Sequence, residues 1–285
     1  MRPALLTNRM ATRSSAFRHH TLRLLALLLL CGASLQLYFI ARIALMAVVA
    51  PQSTTFQRSE AWRLLVDKQQ IAWSQDWVDD NRIAATLKRA VIASEDAGFV
   101  DHSGVDWDAL EKAWEKNQRA EAVADRQGAR QAQQKTQLDK RQAARPGAKA
   151  NVAPPALKPK PEPKVVGGST ISQQLAKNLF LSGERTVFRK AQEFMLTLTL
   201  ETLLSKRRIL EIYLNNVEWG EGVFGAQAAA RHYFRTDAAR LDATSAARLA
   251  VMLPAPKRFE KHPGSPYVAG RAATIVARMG GVALP

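Results

Sequence analysis

The chain has 285 residues, enough for one large domain or two small ones, with a formal charge of +16 and one cysteine. A single cysteine excludes a disulfide framework within the chain and a cysteine-rich metal site. The basic excess lies in residues 1–59 (seven arginines, no acid) and 117–164 (11 basic, 4 acidic residues), so a nucleic-acid surface on the folded body is disfavoured.

The first predicted element is a membrane anchor. Residues 24–41 contain no charged side chain, and the apolar character continues past Arg42 to residue 50. About 20 apolar residues span a bilayer, and the arginines before the run favour a cytoplasmic N-terminus. We predict a basic cytoplasmic tail (1–23) and an uncleaved transmembrane anchor (24–50). A cleaved signal peptide is the alternative, but the run is long for one.

Two amphipathic helical patterns follow in residues 60–116. The first predicts a buried face formed by Ile83, Leu87, Ala90, Val91 and Ser94. The second predicts a buried face formed by Val105, Leu110 and Trp114. Asp106 is placed to cap the start of the second helix.

The composition changes between residues 118 and 164. Ala, Gln, Lys and Arg dominate, and six prolines lie between Pro146 and Pro163. This stretch has too few large apolar residues to bury a core, so we predict a disordered insertion with at most a frayed charged helix at its start. It interrupts a domain that runs from 51 to 285. After Lys164 the sequence is again rich in helix signals and poor in strand signals, which predicts a mainly α fold.

Two acids, Glu95 and Asp96, close the first of these helices. A carboxylate there faces the negative end of the helix dipole, which raises its pKa and suits a general base. Two solvated acids at a helix end are the simpler interpretation, and composition alone favours it. His102 has no His or Cys neighbour at metal-ligand spacing, so a structural histidine is expected.

The stretch GGSTISQQLAKN (167–178) opens a helix with features that an anion would need. Its glycines allow close approach of the backbone, and the helix N-terminus attracts negative charge. Lys177 adds a cation seven residues after Thr170, on roughly the same face. No Gly-Lys-Ser/Thr sequence follows, so it is not a nucleotide P-loop. The alternative is a well-capped surface helix.

A third stretch, GERTVFRKAQEF (183–194), places Glu193 in an otherwise apolar helix, four residues after Arg189. An exposed ion pair worth ~0.2–0.5 kcal/mol is the simple interpretation. An acid among apolar residues otherwise requires a partner or a function.

Five ordered motifs resemble the peptidoglycan glycosyltransferase family, most closely its membrane-anchored monofunctional biosynthetic peptidoglycan transglycosylases. They are Glu-Asp…Phe…His-x-Gly at 95–104, the stretch at 167–178, Arg-Lys-x-x-Glu at 189–193, Arg-Ile-Leu-Glu-x-Tyr-Leu-Asn at 208–215, and Gly…Ala…Tyr-Phe at 225–234. The similarity covers about 60–116 and 165–270. The insertion lengthens the family's usual spacing between the first two motifs without removing a motif residue.

The resemblance implies a lysozyme-like helical domain that polymerises lipid II into β-1,4-linked glycan, inverts the donor carbon and releases undecaprenyl diphosphate. It implies catalytic roles for Glu95 as the base, Lys177 and Arg185 at the departing diphosphate, and Glu193 as a second acid. The substrate-binding residues that it implies are Asp96, Phe99, His102, Gly168, Ser169, Thr170, Gln173, Gln174, Asn178, Arg189, Lys190 and Asn215. No residue is assigned as a metal ligand, but the resemblance leaves open a divalent cation, Mg²⁺ or Mn²⁺, at the diphosphate, with Glu193 either orienting the cationic groups or holding that ion.

By the same resemblance, the catalytic domain is expected in the periplasm, anchored in the bacterial inner membrane. The implied partners are lipid II, the growing glycan chain and cell-wall proteins of division or elongation, with no nucleic acid. Three alternatives remain: a lysozyme-like hydrolase or lytic transglycosylase with Glu95 as acid, a non-catalytic scaffold, and nucleic-acid binding by the basic tails.

Overall fold

The computed structural model describes residues 4–143, 168–183 and 186–285. Within these ranges the chain is mainly α-helical, as predicted. The helices in chain order are α1 (Ala4–Leu45), α2 (Thr55–Lys68), α3 (Ala85–Glu95), α4 (Trp107–Ala143), α5 (Ile171–Phe180), α6 (Val187–Leu203), α7 (Lys206–Asn216), α8 (Ala226–Phe234), α9 (Ala243–Met252), α10 (Pro256–Phe259) and α11 (Pro266–Met279). The strands described are β1 (Ser74–Gln75), β2 (Glu218–Gly220) and β3 (Val223–Phe224).

The chain divides into two compact units. The first unit combines residues 1–104 with residues 171–285, and the second comprises residues 105–170. In the first unit, α9 packs against α3 and α11. The predicted face is buried at Ile83, just before α3, and at Leu87, Ala90 and Val91 on α3, and it is half-buried at Ser94. This packing fixes the end of α3, where Glu95 lies.

The helix α5 packs against α2, α6 and α7. Its residues Ile171, Leu175 and Leu179 recur at a spacing of four and are all buried, which is the pattern of a helix with one apolar face. Gln174 is half-buried and Lys177 is exposed. The apolar face of α5 is therefore packed in the core, and Gln174 and Lys177 lie outside that face, on the side of the helix toward solvent.

A small sheet has the strand order β1–β3–β2, with β1 parallel and β2 antiparallel to β3. Directly after β3, Gly225 adopts a φ of +81°, and a Cβ there would lie 2.7 Å from the carbonyl oxygen of Asn215. Only glycine fits both the dihedral angle and this approach. The fourth and fifth motifs therefore meet in a backbone contact.

The apolar run predicted as an anchor lies in α1. Residues Arg18–Leu45 form 28 residues of helix that are long and apolar enough to cross a membrane. Near the end of this helix, Phe39 and Ile43 are buried, and the Phe39 ring packs edge-on against Phe180 at a centroid distance of 5.3 Å. The helix ends at residue 45, so residues 46–50, predicted as the last part of the anchor, lie beyond it, with residues 46–48 in a turn.

In the second unit, α4 begins with the predicted cap, because Asp106 Oδ1 accepts a hydrogen bond from the Ala109 N–H at 2.8 Å. The helix continues to residue 143, so the first part of the segment 118–164 is helical, whereas its composition predicted disorder beyond a frayed start. Ala, Gln, Arg and Lys are strong helix formers, which explains a helix with few buried residues, such as Ala113 and Ala124. Residues 144–164 lie outside the described ranges.

The predicted buried face of α4 is only partly correct. Val105, just before the helix, is buried, but Leu110 and Trp114 are exposed. Helical spacing identifies residues that share a face, and it does not show whether that face meets a partner. The prediction was therefore wrong for Leu110 and Trp114.

Candidate active site

The carboxylate of Glu95 lies at the end of α3, where a general base was expected. Its Oε2 accepts a hydrogen bond from Gln174 Nε2 at 3.0 Å, and its Oε1 accepts one from Ser94 Oγ at 3.4 Å. Burial raises the pKa of Glu95, the two hydrogen bonds lower it, and the charge of Asp96 raises it, with a net upward direction. A raised pKa suits proton transfer. The sequence predicted this direction from the helix dipole, whereas burial is the main cause.

A second hydrogen bond orients the amide of Gln174. Tyr213 Oη donates to Gln174 Oε1 at 2.9 Å, so the amide nitrogen is the atom that faces Glu95. Burial, together with the charges of Glu95 and Asp96, raises the pKa of the Tyr213 hydroxyl well above its usual value, which keeps it protonated. The result is a directed chain of donors from Tyr213 through Gln174 to Glu95. Tyr213 was absent from the predicted site residues, although it lies in the fourth motif.

The neighbouring acid, Asp96, is buried and uses both carboxylate oxygens for structure. Its Oδ1 lies 2.8 Å from His102 Nε2, and its Oδ2 accepts the Ile171 backbone N–H at 3.0 Å. The Gly104 N–H donates to His102 Nδ1 at 3.2 Å, which leaves Nε2 as the ring nitrogen that donates to Asp96. These contacts exclude the interpretation of two solvated acids. They also show that Asp96 and His102 support the first turn of α5 and the first motif, and their expected substrate contact stays a prediction.

The predicted second acid, Glu193, is buried on α6 and paired with two cations. Its Oε2 lies 3.1 Å from Arg189 Nη1, and its Oε1 lies 2.5 Å from Lys190 Nζ. The exposed ion pair of the simpler interpretation is therefore a partly buried one. Among the described residues, the buried Nε of Arg189 finds no hydrogen-bond partner. A buried donor without a partner is one that an anionic ligand could satisfy.

A third cation, Lys177, lies within electrostatic reach of this pair. Partial burial of its ammonium lowers the pKa of Lys177, the charge of Glu193 raises it, and the charges of Arg189 and Lys190 lower it further. The residue as a whole is still exposed to solvent. Three cations against one carboxylate leave the region positively charged, which is what a diphosphate requires.

One face of α5 connects the acid and the cations. Gln174 and Lys177 are three residues apart, so their side chains are neighbours on the helix surface. Gln174 donates to Glu95, while Lys177 interacts with Glu193. The α5 residue that binds the predicted base Glu95 and the predicted cation Lys177 therefore lie about one turn apart on the same helix, a rise of about 5 Å.

The start of the second motif belongs to the second unit. Gly168 is half-buried, Ser169 is exposed and Thr170 is buried. A Cβ at Gly168 would lie 3.3 Å from the Leu110 backbone on α4. This glycine thus permits close approach to a helix, whereas the sequence predicted close approach to a ligand. Arg185 lies outside the described residues.

Asn215, expected to bind substrate, is instead fully buried within the fold. Its Oδ1 accepts the Val78 N–H at 2.9 Å, and its Nδ2 donates to the carbonyl oxygens of Val78 and Glu211, each at 2.9 Å. A substrate contact would require breaking these bonds. The motif asparagine therefore joins α7 to the segment before α3.

The other predicted substrate-binding residues are placed as follows. Phe99 is fully buried and packs edge-on against His102 at a centroid distance of 6.4 Å. On α5, Gln173 is buried and Asn178 is half-buried. Phe99 therefore supports the first motif from within the core, and only the α5 residues border the helix face that carries Gln174 and Lys177.

The described residues do not fit a resident metal ion. No group of three or more His, Cys, Asp or Glu among them could hold one. Glu193, the acid expected near the diphosphate, is already neutralised by Arg189 and Lys190. Hard divalent ions take several oxygen ligands, and the donors gathered here are ammonium and guanidinium groups.

Comparisons with known proteins identify the family of this chain. A family model described as Transglycosylase matches residues 64–153 and 155–280. The chain is 45% identical over 250 residues to the biosynthetic peptidoglycan transglycosylase of Paraburkholderia xenovorans (strain LB400), covering 88% of this chain and 87% of that protein. It is 48% identical over 250 residues to the protein of the same name from Burkholderia pseudomallei (strain K96243), covering 88% and 82%.

Proposed function

The chain belongs to the transglycosylase family, and on this premise we propose that it polymerises lipid II. Membership and relatives make it a peptidoglycan glycosyltransferase of cell-wall synthesis. In the proposed reaction, the C4 hydroxyl of one lipid II disaccharide attacks C1 of the growing chain. A β-1,4 bond forms with inversion, and undecaprenyl diphosphate departs.

Glu95 is the proposed base. It takes the proton of the C4 hydroxyl as the oxygen attacks C1, and the electrons of the broken C1–O bond leave with the diphosphate. Burial brings the pKa of Glu95 upward, toward the range in which a carboxylate accepts a proton effectively. Gln174, oriented by Tyr213, holds the carboxylate in place through the reaction.

The cations are proposed to stabilise the leaving group. A departing diphosphate requires positive charge more than it requires a protonating acid. Lys177 supplies an exposed ammonium, and Glu193 holds Arg189 and Lys190 next to it. Glycosidases instead place two carboxylates on either side of the scissile bond. One base with several cations therefore supports synthesis over hydrolysis. Arg185 is proposed to act with Lys177 on the strength of its motif alone.

The anchor is proposed to hold this site beside the inner membrane. The arginines that precede the span favour a cytoplasmic N-terminus and a periplasmic catalytic domain. The helix that carries Lys177 ends at Phe180, which contacts Phe39 of α1. The site is therefore tied to the membrane that contains both lipid-linked substrates, which raises their effective concentration. The growing glycan and cell-wall proteins of division or elongation are the proposed partners.

The observation that supports this proposal is the hydrogen bond from Gln174 to Glu95, because Gln174 lies about one turn before Lys177 on α5. Full-length protein in detergent, given fluorescent lipid II, should form polymer that lysozyme digests. Glu95→Gln should lower the rate by roughly 10²- to 10⁴-fold, the usual contribution of a general base, with lipid II binding retained. Asp67→Asn, an exposed acid on α2, is the matched control and should match wild type. Failure of the wild type to form polymer, together with cleavage of isolated cell wall, would establish the lytic alternative instead.

A further inference from the structure

A half-buried acid on α6, whose side chain is 8% exposed, has no part in the site described above. Glu201 lies two helical turns after Glu193. Its Oε1 accepts a hydrogen bond from Ser172 Oγ and lies 2.8 Å from Lys206 Nζ. A buried carboxylate requires such partners, because desolvation without them is costly. Through its hydrogen bond with Ser172, Glu201 contacts the first turn of α5.

Lys206 connects Glu201 to the first motif. Its ammonium lies 4.5 Å from the centroid of the Phe99 ring, which is a cation–π contact. The side chains of Lys206 and Glu201 are both largely removed from solvent. Since Phe99 follows Glu95 by four residues, the Glu201 carboxylate is coupled to the segment that carries the base.

Gly104, the last residue of the first motif, leaves room for this carboxylate. It has a φ of +93°, and a Cβ there would lie 2.9 Å from Glu201 Cγ and 2.8 Å from Thr197 Cγ2. A side chain would strain the backbone and displace Glu201. The absence of a side chain at Gly104 therefore allows Glu201 to occupy its observed position.

Two carboxylates thus hold consecutive residues at the start of α5. Asp96, from the end of α3, accepts the Ile171 N–H, and Glu201, from α6, accepts the Ser172 hydroxyl. Contacts from two different helices restrict both the place and the rotation of the first turn of α5. Gln174 lies only two residues later, so rotation of that turn would move its amide away from Glu95.

We propose that Glu201 is a positioning residue for glycosyl transfer. Acting through Ser172, it sets the rotation of α5 that brings Gln174 onto Glu95. The proposal rests on the proposed function, because polymerisation is its main readout, and an independent structural readout separates the two.

The test compares Ser172→Ala and Glu201→Gln with Ser172→Thr, which keeps the hydroxyl. We expect the first two variants to lower kcat by roughly 10- to 100-fold, the loss typical of a displacement of about 1 Å, with a smaller change in KM. The acid limb of the pH–rate profile should move to higher pH, because a weaker bond from Gln174 raises the pKa of Glu95. Ser172→Thr should restore both quantities.

Two further measurements keep the test decisive. Glu60→Gln is the matched control: Glu60 is a buried acid on α2, paired with Arg63 and Lys257. It should lower the melting temperature without moving the acid limb. Amide hydrogen exchange in residues 171–177 should accelerate in Ser172→Ala and Glu201→Gln, but not in Glu60→Gln. Among the described residues, the charge of Asp96 raises the pKa of Glu95, and the charge of Glu95 raises that of Tyr213. Both Asp96 and Tyr213 are unchanged in all of these variants.

The proposal is refuted if Ser172→Ala and Glu201→Gln lose only thermal stability, with kcat, acid limb and exchange at α5 as in wild type. It is also refuted if Ser172→Thr fails to restore the rate. An inactive wild type would refute the proposed function alone, since the exchange measurement still decides whether Glu201 holds α5. Should Glu201→Gln fail to fold, Ser172→Ala carries the same comparison.

Discussion

Replacing Tyr213 by Phe removes the atom that orients Gln174 and keeps the ring that fills the core. Tyr213 Oη donates to Gln174 Oε1 at 2.9 Å, and the amide nitrogen then donates to Glu95 at 3.0 Å. Without the hydroxyl, the amide can turn over and present its oxygen to the carboxylate. A neutral hydrogen bond contributes about 0.5–1.5 kcal/mol net, and one to a charged group about 1.5–3 kcal/mol. At 1.36 kcal/mol per pH unit, complete loss of the bond to Glu95 corresponds to about 1–2 pH units.

We expect Tyr213→Phe to reduce kcat at neutral pH by about 3- to 10-fold, from the loss of roughly one hydrogen bond. The ionised form of Glu95 is the one that the amide stabilises, so its loss raises the pKa and leaves less base at low pH. The acid limb should therefore move upward, and the two enzymes should converge at high pH. Initial rates with fluorescent lipid II across the pH range measure this. Tyr267→Phe, at an exposed tyrosine on α11, is the matched control.

A double-mutant cycle with Gln174→Ala makes the reasoning refutable. Both changes act through the same contact with Glu95, so their combined effect on the rate should be smaller than the sum of the two. Strict additivity would show that Tyr213 does not act through Gln174. An acid limb that stays in place in Tyr213→Phe would refute the orienting role outright.

Two further predictions concern stability. Burial raises the pKa of Glu218 from an ordinary 4.5 to about 7, against the lowering effect of Lys257. The stability that protonated Glu218 contributes is therefore complete below pH 4.5 and is lost as the pH rises through about 7. Glu218→Gln should therefore stabilise the protein at pH 8 by up to about 3 kcal/mol and much less near pH 4.5 in thermal unfolding; equal gains at both would contradict this. Ile43→Ala, at a buried position of α1, should lower the free energy of unfolding in detergent by about 2–5 kcal/mol. Leu29→Ala, at an exposed position of the same helix, should leave it nearly unchanged. Equal losses of stability in the two variants would show that α1 does not pack on the domain.

The sequence by itself determined the features that depend on neighbours along the chain. The apolar run of the anchor, the buried face of α3 and the cap at Asp106 follow from spacing and side-chain type within a few turns. Local patterns drew attention to Glu95, Lys177 and Glu193, but composition alone favoured solvated acids at Glu95, and the resemblance of the motifs supplied the expected roles.

Only the tertiary structure decided which motif residues face the chemistry and which hold it in place. The motifs placed Asp96 and Asn215 among the site residues together with Glu95. In the structure both side chains are buried and accept hydrogen bonds from backbone N–H groups far away in the sequence. The sequence did not predict the roles of Tyr213 and Glu201, because their partners Gln174 and Ser172 lie 39 and 29 residues away along the chain. Burial and hydrogen-bond partners arise where remote segments pack together, and no local spacing encodes them.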